Sequence, residues 1–166
     1  MFKPKRLLAP IDFSRESALA VDWAEMIVRG ESEAEILLCH VLPRMTAPIG
    51  PDAIAFDLAD AMKREEAAAD ERLAEFQSRI PNDIASDRIV CRGRVDSEIE
   101  RLCNEKSIGL VIMTTHGRRG LSRLLQGSTT EETVRLAPCP VLVLHLNQAM
   151  REVVHASSAS VGEGWR

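Results

Sequence analysis

Short apolar runs alternate along this chain with longer stretches in which apolar residues recur every three or four positions. The first run, Lys5 to Asp12, reads KRLLAPID and is expected to be a strand with a polar end. From about Ser17 to Arg29, Ala18, Val21, Ala24, Ile27 and Val28 keep helical spacing, and Gly30 supplies a stop. Ala34 to Leu42 is a second strand, closed by Pro43, and the segment Arg44 to Asp52 is a loop bearing Pro48, Gly50 and Pro51. A long helix is predicted from about Asp52 to Arg79, its charge runs forming a solvated face. Pro81-Asn82-Asp83 breaks it. Arg88 to Arg92 is a third strand, and a helix started by Asp96 or Ser97 aligns Ile99, Leu102 and Cys103 on one face. Leu110 to Met113 is a fourth, fully buried strand. A last helix opens near Gly127-Ser128-Thr129 and runs to about Ala137, where Pro138-Cys139-Pro140 ends it and Val141 to Leu144 forms a fifth strand. Strands alternating with amphipathic helices in this order predict an α/β fold: a parallel sheet covered on both faces and joined by right-handed crossovers.

Composition narrows the class. With 166 residues, 45% apolar and 28% charged, the chain suits one domain, expected over 1–146, followed by a small, polar and mobile tail over 147–166. Trp165 in that tail has either a docking role or none. A net charge of -4, with Lys and Arg scattered among acids, argues against nucleic acid as a main partner. No stretch approaches the roughly 18 apolar residues of a membrane span, and the N-terminus leads straight into a strand, so a cytosolic location is expected. Cys39, Cys91, Cys103 and Cys139 are dispersed without a C-x-x-C pair and are read as buried small hydrophobes. Neither they nor the four histidines show metal-ligand spacing.

The chemistry concentrates after the fourth strand. Thr114-Thr115-His116-Gly117-Arg118-Arg119-Gly120 is a small, polar loop, and Gly127-Ser128-Thr129 begins a helix. Placed side by side, these segments would present free backbone N–H groups and the positive end of a helix dipole to one small space, which suits phosphate. Gly117 and Gly127 permit close backbone approach, and Ser128 and Thr129 add hydroxyls. Taken singly, each of these residues is better explained by a tight turn or a helix cap. Arg118, Arg119 and Arg123 read as solvent-exposed.

This segment resembles the C-terminal signature of the universal stress protein family: glycine, two residues, glycine, nine residues, glycine, then Ser or Thr. His116-Gly117, the nine residues from Arg118 to Gln126, and Gly127-Ser128 match, while Thr114 replaces the first glycine. Pro10-Ile11-Asp12-Phe13-Ser14, His40-Val41 and the closing Ala-Pro-Cys-Pro-Val-Leu-Val-Leu resemble the family as well, over nearly all of residues 3 to 146. The resemblance implies a five-stranded sheet of order 3-2-1-4-5, a doubly wound, Rossmann-like fold of the adenine-nucleotide α-hydrolase type. It implies ATP as ligand, held by Pro10, Ile11, Asp12, Val41, Met113, Thr114, Thr115, His116, Gly117, Gly127, Ser128 and Thr129. Asp12 would lie by the ribose and reach Mg²⁺ through water, because a carboxylate beside a triphosphate needs an intervening cation. It further implies a homodimer paired through the strand from Val141 to Leu146, an apolar edge that would otherwise invite aggregation.

No G-x-x-x-x-G-K-[ST] loop, G-x-S-x-G elbow or clear general base is present, and His116 is read as a loop histidine bonding to backbone. The expected function is therefore a nucleotide-binding stress-response regulator or switch with slow or absent hydrolysis. The competing reading is a dimeric interaction module of the same fold that lost nucleotide with the glycine at position 114. An enzyme of the wider fold is a third reading, lacking a catalytic constellation. The protein partner is left open.

Overall fold

In the computed structural model, residues 3–45, 58–114 and 129–145 are described. Five parallel strands alternate with four helices: β1 Arg6–Pro10, α1 Ser17–Val28, β2 Glu35–Leu42, α2 Leu58–Gln77, β3 Ala85–Arg92, α3 Val95–Glu105, β4 Leu110–Thr114, α4 Thr129–Leu136 and β5 Val141–Leu144. The strand order is β3-β2-β1-β4-β5, the doubly wound order that the sequence resemblance implied.

The two-residue period of a strand sorts the core into two layers. Leu7 and Ala9 of β1, with Ile36 and Leu38 of β2, face Ala20, Val21 and Ala24 of α1 and Leu73 and Phe76 of α2. Leu8, Leu37 and Val111 point the other way, onto Ile99 and Leu102 of α3. Both faces of β1 and β4 are thus covered, which explains why those strands are nearly continuous apolar runs. Gly30, at φ 84°, ends α1 in the left-handed conformation that a side chain resists.

Departures from the sequence reading fall at polar boundaries. β3 starts at Ala85, three residues before the expected Arg88, because Ala85 to Asp87 pair with Glu35 to Leu37 of β2. On an edge strand the side chains of Ala85 and Asp87 remain exposed, so their apolar content says little about pairing. α3 begins at Val95, one residue early, with no side-chain cap on Arg94; Asp96 sits in its first turn and bonds the Arg94 guanidinium at 2.8 Å. β1 is shorter than Lys5 to Asp12, running from Arg6 to Pro10, although the Ile11 N–H still reaches the Cys39 carbonyl at 2.7 Å. The expected start of α2 at Asp52, Leu146 of the expected dimer strand, and the tail over 147–166 lie outside the described residues. Among the described residues, no helix is long and apolar enough to cross a membrane.

Candidate functional site

β1 sends its chain through α1 to β2 on one side and pairs with β4 on the other, so the strand order reverses beside it. There the crossovers leave on opposite faces and a gap opens above the carboxyl ends of the strands. A cleft of ≈ 270 Å³ occupies that gap. Pro10, Ile11 and Asp12 line it from β1, Val41 from β2, Met113 and Thr114 from β4, and Thr129 from the first turn of α4. Seven of the twelve site residues named from the sequence therefore surround one space. The other five, Thr115, His116, Gly117, Gly127 and Ser128, lie outside the described residues. Arg118, Arg119 and Arg123 do so too.

Asp12 is held by a small hydroxyl cluster. Its Oδ1 accepts the Ser14 N–H at 3.1 Å, the Ser14 hydroxyl at 2.6 Å and the Ser17 hydroxyl. Ser17 in turn accepts the Asp12 N–H at 3.2 Å. The Ser14 hydroxyl oxygen also accepts the Ser17 N–H at 3.2 Å, so Ser14 caps the first turn leading into α1. The aspartate is thus fixed by its neighbours at the rim of the cleft, and Ser17, also in the lining, is a site residue that the sequence reading passed over.

His40, marked in the sequence only within the His40-Val41 match, adds its side chain to the site. Its Nδ1–H donates to the Ile11 carbonyl at 2.6 Å, which leaves Nε2 as the acceptor of the neutral ring. Burial pushes the His40 pKa below the ordinary histidine value, opposed by the Ile11 carbonyl, and the ring is kept neutral in the cleft wall. Phe13 packs on it with ring centroids 4.0 Å apart, and the Arg72 guanidinium carbon sits 4.0 Å from the centre of the Phe13 ring. Phe13 carries φ 62°, a left-handed conformation that costs a bulky residue roughly 1 kcal/mol or more and persists because the ring contacts hold it. Neither ring contact is visible in sequence, because Phe13, His40 and Arg72 come from three separate segments.

Thr114, which the sequence resemblance set at the first glycine of the motif, is the last residue of β4 and pairs with Leu144 of β5. Among the described residues only Phe13 and Ser107 are non-glycines with positive φ, so the backbone at Thr114 does not demand glycine. What the threonine changes is volume and a hydroxyl at the cleft wall.

Oxygen donors such as the Asp12 carboxylate suit a hard divalent cation. Among the described residues no three His, Cys, Asp or Glu side chains gather as a metal site, so Mg²⁺ here would depend on a ligand's phosphates and water for most of its shell. A larger hollow of ≈ 470 Å³ beside the start of β3 is lined by Gln77, Ser78, Pro81, Asn82 and Ser86 and has no ionisable group in its wall.

The sequence model for "Universal stress protein family" matches residues 3–145. Universal stress protein YxiE of Bacillus subtilis is 24% identical over 147 residues, covering 84% of this chain and 97% of the relative. Among solved structures, protein MJ0577 of Methanocaldococcus jannaschii superposes with a TM-score of 0.71 at 20% identity, covering 89% of this chain and 99% of that one. A universal stress protein family protein of Arabidopsis thaliana with AMP bound gives a TM-score of 0.60 at 22% identity, covering 88% and 94%. The match of residues 3–145, together with this sheet order, means that the chain belongs to the universal stress protein family.

Proposed function

We propose that this chain binds an adenine nucleotide, ATP with Mg²⁺, in the cleft between β1 and β4, and that it works in the cytoplasm as a stress-response switch with little or no hydrolysis. The observation that carries the reading is the convergence of Pro10, Ile11, Asp12, Val41, Met113, Thr114 and Thr129 on one cleft at the strand-order reversal. The AMP bound in the Arabidopsis relative supports the choice of nucleotide. In this assignment Ile11 and the backbone of Val41 flank the base, and Asp12 meets the ribose and, through water, Mg²⁺. The first-turn N–H groups of α4 at Thr129 face the phosphates, with Thr115, His116, Gly117, Gly127 and Ser128 completing the cradle. Mg²⁺ would neutralise phosphate charge that Asp12 otherwise repels. No described side chain in the lining is placed as a strong general base: burial lowers the proton affinity of His40, and Asp12 Oδ1 accepts three hydrogen bonds. This supports binding without rapid turnover.

The domain would occupy 1–146 with 147–166 as its tail, and two copies would pair through the strand from Val141 to Leu146. All four β5 residues are only partly buried in one copy, and β5 ends the row of strands. That edge also favours the second reading, a dimeric interaction module without nucleotide. Titrating isotope-labelled protein with MgATP separates them: the largest amide shifts are expected at Ile11, His40, Val41 and Thr129. Shifts confined to β5, or none at all, would remove nucleotide binding at this cleft.

A further inference from the structure

The four cysteines that lie far apart in sequence meet on one side of the sheet. Cys39, Cys91 and Cys103 belong to one buried cluster, and Cys139 packs against it. Two of them touch: the Sγ atoms of Cys103 and Cys139 are 3.9 Å apart. A disulfide has its sulfurs about 2.0 Å apart, so a further approach of roughly 1.9 Å would join them. The two are unlike. Cys103 lies on α3 and is 3% exposed, whereas Cys139 is only partly buried, in the turn between α4 and β5, between Pro138 and Pro140. Neither lines the cleft, and both are free thiols.

We propose that Cys139 and Cys103 form a dithiol–disulfide site, closed by hydroperoxides and reopened by thiols. Cys139 is the attacking sulfur. Burial holds its pKa above the ordinary thiol value, partly offset by the Cys103 thiol and the Val111 N–H beside it, whereas Cys103 is pushed up to about 12 by burial and by Cys139. The Cys139 thiolate attacks one oxygen of the hydroperoxide and the O–O bond breaks. That oxygen stays on Cys139 as a sulfenic acid, and the departing alkoxide takes a proton to become an alcohol. Cys103 sulfur then attacks Cys139 Sγ, the S–S bond forms, and hydroxide leaves with the Cys103 proton as water. Two thiols and one hydroperoxide thus give a disulfide, an alcohol and water, with the peroxide reduced by two electrons. The closed bond would tie α3 to the end of α4. Val95 at the start of α3 and Thr129 and Thr130 at the start of α4 line the cleft, so the bond would link the far ends of two elements that reach it.

The full chain, reduced and then exposed to hydrogen peroxide, would be alkylated, digested without reductant and read by mass spectrometry. A peptide pair joined through Cys103 and Cys139 is expected as the dominant product, lost on treatment with dithiothreitol. Cys103→Ser should retain the Cys139 sulfenic acid and accumulate its dimedone adduct, which the unmodified chain resolves before trapping. Oxidation centred on Cys91, whose sulfur lies 3.5 Å from the Arg101 guanidinium, would overturn the assignment. So would four cysteines still reduced after exposure, or equal dimedone labelling with and without Cys103.

Discussion

Ser17→Ala isolates the hydroxyl that fixes Asp12 at the cleft. Ser17 is 2% exposed, donates to the Asp12 carboxylate and accepts the Asp12 N–H at 3.2 Å, so alanine removes both bonds and supplies nothing in return. A hydrogen bond to a charged group is worth about 1.5–3 kcal/mol, and a backbone group left unsatisfied costs about 1–3 kcal/mol when buried. Two features hold the total to the low end. Ser14 keeps two donors on the same carboxylate oxygen, at 3.1 and 2.6 Å, and Asp12 is itself exposed, so water replaces part of what is lost. The expected loss is about 2 kcal/mol, which for a chain of this size lowers Tm by about 4–8 °C. Ser14→Ala removes both a cap and the 2.6 Å hydroxyl bond to Asp12, but from a half-buried position where water replaces part of each, and should cost about 1 kcal/mol. Urea unfolding and thermal circular dichroism at neutral pH measure both. A Ser17→Ala loss under about 0.5 kcal/mol, or a larger loss for Ser14→Ala, would refute the ordering argued from these bonds.

Other consequences follow from single sites. His40 has a folded pKa depressed chiefly by burial, so the unfolded chain binds more protons; its contribution to stability is complete above about pH 6.5 and is lost as pH falls from there toward the folded value. Urea titrations from pH 7.5 to 5 should show this slope in the unmodified chain and a flatter one in His40→Phe, and equal slopes would contradict it. Leu73, 0% exposed between α2 and the sheet, should cost about 2–5 kcal/mol as Leu73→Ala in the same unfolding assay, and a loss below 1 kcal/mol would mean that α2 is not packed as described. Sedimentation at micromolar concentration should give a dimer that Val143→Lys dissociates; a monomeric mass for the unmodified chain would end the β5 pairing proposal. Thr114→Gly should change MgATP affinity by less than about threefold, roughly 0.7 kcal/mol, because the strand backbone there does not require glycine. A gain of more than about tenfold would instead favour the nucleotide-free reading of the natural chain.

The strands themselves were legible because both layers of the core are written into the apolar runs, whereas their order came from the family resemblance. Leu7, Leu8 and Ala9, and Leu110 to Met113, are buried on both faces and so lack polar interruptions, while α1 and α3 place apolar residues at helical spacing on the face that touches the sheet. β3 was less legible. At the edge of the sheet Ala85 to Asp87 are held by backbone pairing to β2, which leaves no mark on side-chain polarity. The cleft shows the same division. Asp12 and Thr129 stand where local strand and helix ends put them, so motif spacing finds them. The side chain of His40 and the Phe13 shelf depend on contacts between segments, as does the meeting of Cys103 with Cys139 across 36 positions. Nothing in a one-dimensional pattern marks those pairs.

The central claim, that the cleft at the ends of β1 and β4 holds an adenine nucleotide, is tested most directly by calorimetric titration of MgATP into protein stripped of any bound ligand. The account predicts saturable heat with one site per chain and a Kd on the order of micromolar, near -8 kcal/mol, weakened in Asp12→Ala. No heat up to millimolar MgATP, or binding untouched by Asp12→Ala, would contradict it.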